Sequence, residues 1–283
     1  MIIFFSYIFY FIAASASPLW RRWLAKEKNA ENTGQISFAF QTMLVVVALS
    51  IFLPFFQPFH ISGDKFHLLI LALICGIFGG GSYISLFIAQ RYVEAGVSAV
   101  VVNIYTPITI VLATIFLNER LNFSQILGTI LLLIAMVIVS QKHRIGKFKF
   151  DKYFLLMLLS GILLAFCLVA ERVLIKTTGF TAGVMLSWWP KCIFLGIATL
   201  ITKNRNLYSK KDIALTGVLR FFHDLSWYIL LVVVGNLSLV SSVTTFKIVF
   251  MFIAGALFLN EKEDLPRKIF GSIVAVVGLL LMG

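Results

Sequence analysis

Long apolar stretches separated by short polar connectors recur from one end of the chain to the other. Windows dominated by Phe, Leu, Ile, Val and Ala cover approximately residues 2–22, 35–57, 66–89, 96–117, 123–140, 153–172, 181–202, 212–234, 237–258 and 266–282. A helix needs about 20 mostly apolar residues to cross a hydrocarbon layer of ~30 Å, and lipid offers no partner for an unpaired backbone group. Ten such windows predict an all-α membrane protein with ten transmembrane helices. The connectors are too short to hold a soluble domain, the longest lying near residues 23–34 and 141–152.

The pattern also repeats itself. Phe116-Leu117-Asn118-Glu119 returns as Phe258-Leu259-Asn260-Glu261, 142 residues later, and Ile126-Leu127-Gly128-Thr129-Ile130 returns as Ile269-Phe270-Gly271-Ser272-Ile273, 143 residues later. The chain therefore divides into a first repeat over 1–141 (spans one to five), a basic connector over 142–152 and a second repeat over 153–283 (spans six to ten). Five is odd, so the second repeat is expected upside down relative to the first, the arrangement that secondary transporters use for alternating access.

Composition agrees with the membrane reading: 60% of residues are hydrophobic, 13% are charged and the mean hydropathy is +0.98. The net charge of +12 does not indicate a nucleic-acid partner, because no basic face or aromatic stacking module accompanies it. Most basic residues fall in connectors, where they orient the chain and meet anionic lipid head groups. With Arg21 and Arg22 counted to the connector after span one, the connectors after odd-numbered spans carry 17 Lys and Arg, and those after even-numbered spans carry 4. That bias alone places both termini outside. The first sixteen residues imitate a cleavable signal but lack its basic start, since the first basic residue is Arg21, so a retained first helix is expected. Cys75, Cys167 and Cys192 sit in apolar runs without metal-like spacing, as small apolar side chains do. No cofactor or metal is expected.

Three basic residues stand apart from the connectors. Lys191, Arg220 and Lys247 fall near the middle of spans seven, eight and nine. A charge at that depth costs about 2.5–3.5 kcal/mol and is usually turned toward a wet cavity or a partner. Span eight adds His223 and Asp224, and the spacing of Arg220, His223, Asp224 and Trp227 puts all four on one helical face. An Arg220–Asp224 pair one turn apart would neutralise one cation. Lys191 and Lys247 would remain, a surplus of two positive charges with His223 neutral. An anionic substrate would complete such a site. A purely structural network, or proton coupling through His223 and Asp224, are the other readings.

Across the duplication, Tyr105 stands opposite Lys247, with Asn103 and Pro107 two residues to either side; Asn103 and Tyr105 offer hydrogen bonds and Pro107 loosens the helix, as a cavity wall requires. Tyr83, Trp188 and Trp189 line that cavity or belong to the core. Gly76, Gly79, Gly80 and Gly81 in span three indicate tight helix packing ahead of substrate contact. Glu119 and Glu261 end their spans beside an Asn and are expected to cap the helix that follows.

Ten spans in two five-helix repeats, with Leu-Asn-Glu closing the fourth helix of each and Gly128 and Gly271 in the fifth, resemble the drug/metabolite transporter superfamily, specifically its EamA branch. The resemblance extends over nearly the whole chain and includes Pro107. It implies a carrier of small metabolites such as amino acids, sugars, sugar phosphates or nucleotide sugars, with both termini cytoplasmic, opposite to the charge bias. Two departures stand out. Ser15-Ala16-Ser17-Pro18 replaces the Trp-Gly pair common in the first helix, and Lys247 replaces a proline common in the ninth, where it is similar to the organophosphate and nucleotide-sugar branches.

These observations lead to a secondary transporter of a small anionic metabolite, bearing phosphate or carboxylate, in the cell membrane. Its substrate-binding residues are expected to be Lys191, Arg220, Lys247, His223, Asp224, Tyr105, Asn103 and Tyr83. Its partners are the solute and membrane lipids, with a homodimer left open. Two alternatives stay open: an exporter of neutral amino acids or drug-like solutes, and a pore or lipid scramblase, which needs a continuous polar path. An enzyme is not expected, because no His-Glu-x-x-His, nucleophile elbow, phosphate-cradling glycine loop or pair of intramembrane carboxylates is found.

Overall fold

The computed structural model describes residues 2–27, 32–117, 122–140, 151–203, 208–234, 247–261 and 264–282. Among these residues the chain forms ten helical spans and no strand. They are α1 (Ile2–Glu27), α2 (Asn32–Ser50, followed by a 3₁₀ turn at Leu53–Phe55), α3 (Lys65–Ala89), α4 in two segments (Ala95–Val102 and Tyr105–Leu117), α5 (Phe123–Ser140), α6 (Lys152–Thr178), α7 (Phe180–Thr202), α8 (Lys210–Val234), α9 (Lys247–Phe258) and α10 (Leu265–Met282). Residues 237–246, expected in span nine, lie outside the described residues, as do Asn118 and Glu119.

Local chemistry explains several boundaries. Asp64 starts α3 by accepting from the backbone N–H groups of Phe66 and His67 at 3.4 and 3.0 Å, which satisfies donors that a helix start leaves open. A single residue, Gly179, joins α6 to α7 at φ +83°, a conformation glycine adopts without steric cost. α4 breaks at Asn103 and Ile104. Pro107 follows, and without an N–H it cannot donate to the Asn103 carbonyl four residues back. Two helices run further than the apolar windows suggest: α1 continues to Glu27 and α6 to Thr178. Charged residues placed by sequence at the ends of their spans therefore sit inside helices.

The packing is nearly unchanged when each helix is exchanged for the one five places along. α5 packs on α10, α4 on α9, and α2 on α7; α1 on α8 is matched by α6 on α3, and α8 on α2 by α3 on α7. With helices aligned from their first residues, the Tyr10–Trp227 contact between α1 and α8, ring centroids 5.9 Å apart, corresponds to Ser160 and Ser82 between α6 and α3. Those two serine hydroxyls lie 3.1 Å apart, each also donating to the other's carbonyl. Two five-helix repeats of odd count related in this way are inverted in the membrane.

Outer faces are apolar. Along α7, Ile193, Ile197, Leu200 and Ile201 are all exposed, while Ser187 and Lys191 on the same helix are buried. Such an arrangement suits lipid outside and a polar interior. Gly34–Phe55, Lys65–Ala89, Lys152–Thr178 and Phe180–Thr202 are each long and apolar enough to cross a bilayer. α5 and α10 approach so closely that a Cβ on Gly278 would lie 2.7 Å from the Gly128 carbonyl oxygen. Gly278→Val is expected to destabilise the fold by about 1–3 kcal/mol through overpacking, read as a lower thermal midpoint in detergent. An unchanged midpoint would mean that the two helices separate freely.

Candidate functional site

A chamber of about 160 Å³ lies between the repeats, lined by side chains from α1, α3, α4, α6, α7, α8 and α9. All eight residues expected to bind substrate line it: Asn103 and Tyr105 beside the break in α4, Tyr83 on α3, Lys191 on α7, Arg220, His223 and Asp224 on α8, and Lys247 on α9.

Lys191 departs from expectation, because it has a carboxylate partner. Its Nζ donates to Glu171 Oε1 on α6, and the same oxygen accepts from Ser187 Oγ at 2.5 Å, with Cys167 Sγ 3.6 Å away. Both charged side chains are almost fully buried, so this pair is held in a low-dielectric interior by surrounding hydrogen bonds. α3 makes room for it with a π-helical turn at Cys75–Gly79; a Cβ on Gly79 would stand 2.4 Å from Lys191 Cε. Gly76 and Gly80 similarly face Pro190 and Phe194 of α7, which bears out the packing reading of these glycines.

Arg220 forms the expected pair, its Nε 2.8 Å from Asp224 Oδ2. That oxygen also accepts from the Tyr83 hydroxyl at 3.1 Å, and the Tyr83 ring lies under the guanidinium at 4.5 Å. The ring below and the carboxylate at Nε hold the arginine in one orientation. Lys247 donates to the Tyr10 hydroxyl at 3.2 Å. Tyr10 packs against His223 and Trp227, with centroids 6.0 and 5.9 Å away. Asn103 turns its amide back to the Ala99 carbonyl at 2.5 Å. Trp188 belongs to the core, 1% exposed, and Trp189 points outward, its indole N–H on Ser50 Oγ at 3.1 Å.

Two charged residues of the chamber are not among the site residues expected from the sequence. Glu171 and Arg21 each occupy the last turns of a helix that outruns its apolar window, so they resemble connector residues. Arg21 is 3% exposed and lines the chamber. The signal that could have found Glu171 is electrostatic: a lysine buried at mid-membrane needs a counter-charge, and Glu171 is the acid nearest to mid-span on the preceding helix. Among the described residues, four cations (Arg21, Lys191, Arg220 and Lys247) face two carboxylates (Glu171 and Asp224).

A set of ties between the repeats lies at the end of the chamber where the connectors after α1, α3 and α9 meet. Arg22 Nε is 2.8 Å from Glu261 Oε1, while within the first repeat Arg22 Nη1 donates to the Gln90 carbonyl at 2.6 Å. Glu261 Oε2 accepts from the Ala95 N–H at 2.8 Å, so Glu261 does cap a helix, but it is the first segment of α4 and not the following α10. Lys268 pairs with Glu94 at 2.5 Å, and Lys26 donates to the Leu259 carbonyl at 3.1 Å.

The sequence profile of the EamA-like transporter family matches residues 1–141 and 151–283. The chain belongs to that family. An uncharacterized transporter of Archaeoglobus fulgidus is 33% identical over 67 residues, which span 23% of this chain and 24% of that relative. A solved crystal structure of a protein superposes with a TM-score of 0.55 at 15% identity over 98% of both chains, a likeness in fold alone. As an EamA-like protein the chain is an integral membrane protein of a transporter family, and the resemblance to the drug/metabolite transporter superfamily stands.

Proposed function

We propose that this EamA-like protein is a secondary carrier for a small anionic metabolite, bearing phosphate or carboxylate, in the cell membrane. The observation that carries the reading is the charge of the chamber. Two buried carboxylates hold Lys191 and Arg220, and among the described residues Arg21 and Lys247 have none paired with them. Uncompensated cations in a low-dielectric cavity are costly, and a negatively charged solute removes that cost when it enters. The chamber sits at the boundary of inverted repeats, where rocking of one half against the other exposes it to alternate sides.

Size narrows the class. About 160 Å³ is close to the ~150 Å³ of an engineered cavity that holds benzene, so a solute of a few carbon atoms fits this conformation. In proteoliposomes, exchange of a radiolabelled three-carbon carboxylate or phosphate ester is expected to saturate and to be inhibited by other small anions, but not by uncharged compounds of the same shape. Flux rising linearly with concentration would indicate a pore, and inhibition by uncharged compounds alone would remove the anion from the reading.

A further inference from the structure

Arg21 differs from the other three cations in what surrounds it. It is 3% exposed, yet its recorded hydrogen bond is a long one, from Nε to the Ser17 carbonyl at 3.4 Å. Its guanidinium lies 4.9 Å above the Phe87 ring. Nη1 is buried without a partner. Arg220, Tyr83 and Asp224 are within electrostatic range of it, and the Phe87 ring under Arg21 stacks on the Tyr83 ring under Arg220 with centroids 6.0 Å apart, so the two guanidinium groups lie over neighbouring rings. Two other buried atoms on the chamber wall also lack partners, Gln90 Oε1 and His223 Nδ1. Gln90 is tied to the same part of the structure, because its carbonyl receives Arg22 Nη1. Buried polar atoms in native proteins are satisfied in the great majority of cases, so atoms left open on the chamber lining mark places for a missing partner.

We propose that Arg21 is the anion seat of the carrier: an oxyanion bridges the guanidinium groups of Arg21 and Arg220, and a hydroxyl or ammonium of the same solute donates to Gln90 Oε1. The inference rests on the anionic-carrier reading above and adds the residue and the substrate class, a small oxyanion with a hydrogen-bond donor close to its charged end. Lys191 is a poorer seat because Glu171 already occupies it. Lys247 is a poorer one because its ammonium is a point charge spent on a tyrosine hydroxyl. A guanidinium offers a planar fork that matches carboxylate or phosphate geometry, and each of the two lies over an aromatic ring, Phe87 under Arg21 and Tyr83 under Arg220.

The test uses the purified full chain in detergent, with inorganic phosphate, propionate and lactate as probes and tryptophan fluorescence as readout, Trp227 being part of the chamber wall. Lactate is expected to bind more tightly than propionate, which lacks the hydroxyl. Arg21→Gln is expected to weaken the binding of lactate and phosphate about tenfold to a hundredfold, the range expected for a lost charged hydrogen bond. Arg21→Lys, which keeps the charge and loses the fork, falls between. Gln90→Leu is expected to erase the preference for lactate over propionate. If the unaltered protein binds no probe, the anionic-carrier reading fails and this inference with it. If it binds them and both Arg21 variants bind equally well, the seat is elsewhere and the broader reading survives. The same titration in micelles containing an anionic phospholipid separates a lipid head group from a free solute: loss of the response there would assign the seat to lipid and overturn the proposal. Should Arg21→Gln fail to fold, Arg21→Lys and Gln90→Leu still decide it.

Discussion

Replacing Lys191 with methionine is expected to destabilise the protein by about 3–5 kcal/mol, because it strands Glu171 as an unpaired charge in a dry interior. Methionine fills the path of the lysine stem past Gly79, so little of the loss is a packing effect. Ser187 still donates to Glu171, with Cys167 Sγ beside the same oxygen, but donors that carry no charge do not replace an ammonium. The double variant Lys191→Met with Glu171→Gln is expected to recover most of the stability, since removing both charges together leaves nothing uncompensated. Thermal or denaturant unfolding in detergent, with both single variants and the double, reads the coupling directly. A double variant as unstable as Lys191→Met alone would show that the lysine acts through shape and not through charge.

Glu261→Gln is expected to admit water-soluble reagents to the chamber from the face that carries the connectors after α1, α3 and α9. The substitution keeps an oxygen for the Ala95 N–H but weakens the tie to Arg22 across the repeats. Losing a charge-assisted hydrogen bond shifts a two-state equilibrium by about 1.5–3 kcal/mol, which multiplies the open population about tenfold to a hundredfold. A cysteine at Ser98, which lines the chamber one turn beyond Ala95, in a chain with Cys75, Cys167 and Cys192 replaced, reports this as faster labelling by a membrane-impermeant thiol reagent. Unchanged labelling from that face would mean that the ties hold the fold together without closing the chamber.

Much of this architecture was legible in the chain itself. The ten apolar windows lie close to the ten spans because transmembrane length is a property of local composition, and the Leu-Asn-Glu repeats announce the duplication. Mid-span charges led to the chamber, since Lys191, Arg220 and Lys247 have few other places to go. What stayed hidden is tertiary. A run such as Glu171-Arg172 looks like the end of an apolar window whether the helix stops there or continues to Thr178. Only packing shows that Glu171 turns toward α7 while the backbone goes on. For the same reason Arg21 and Arg22, adjacent in sequence, have different roles: one faces the chamber and the other binds Glu261 of the opposite repeat. The helix that Glu261 caps was misread because capping partners need not be neighbours in sequence.

The two halves of this protein are related in outline but not in substance. Where α3 meets α6, a pair of serines forms a seam one hydroxyl wide; at the matching place between α1 and α8 stand a phenol and an indole. On the carrier reading proposed above, an exchange of conformations between the halves requires the ring-lined interface of α1 and α8 to pack as the serine seam of α3 and α6 does, so the two orientations differ in energy. On that reading the unloaded molecule rests with its opening toward one preferred side, and solute on that side is taken up first.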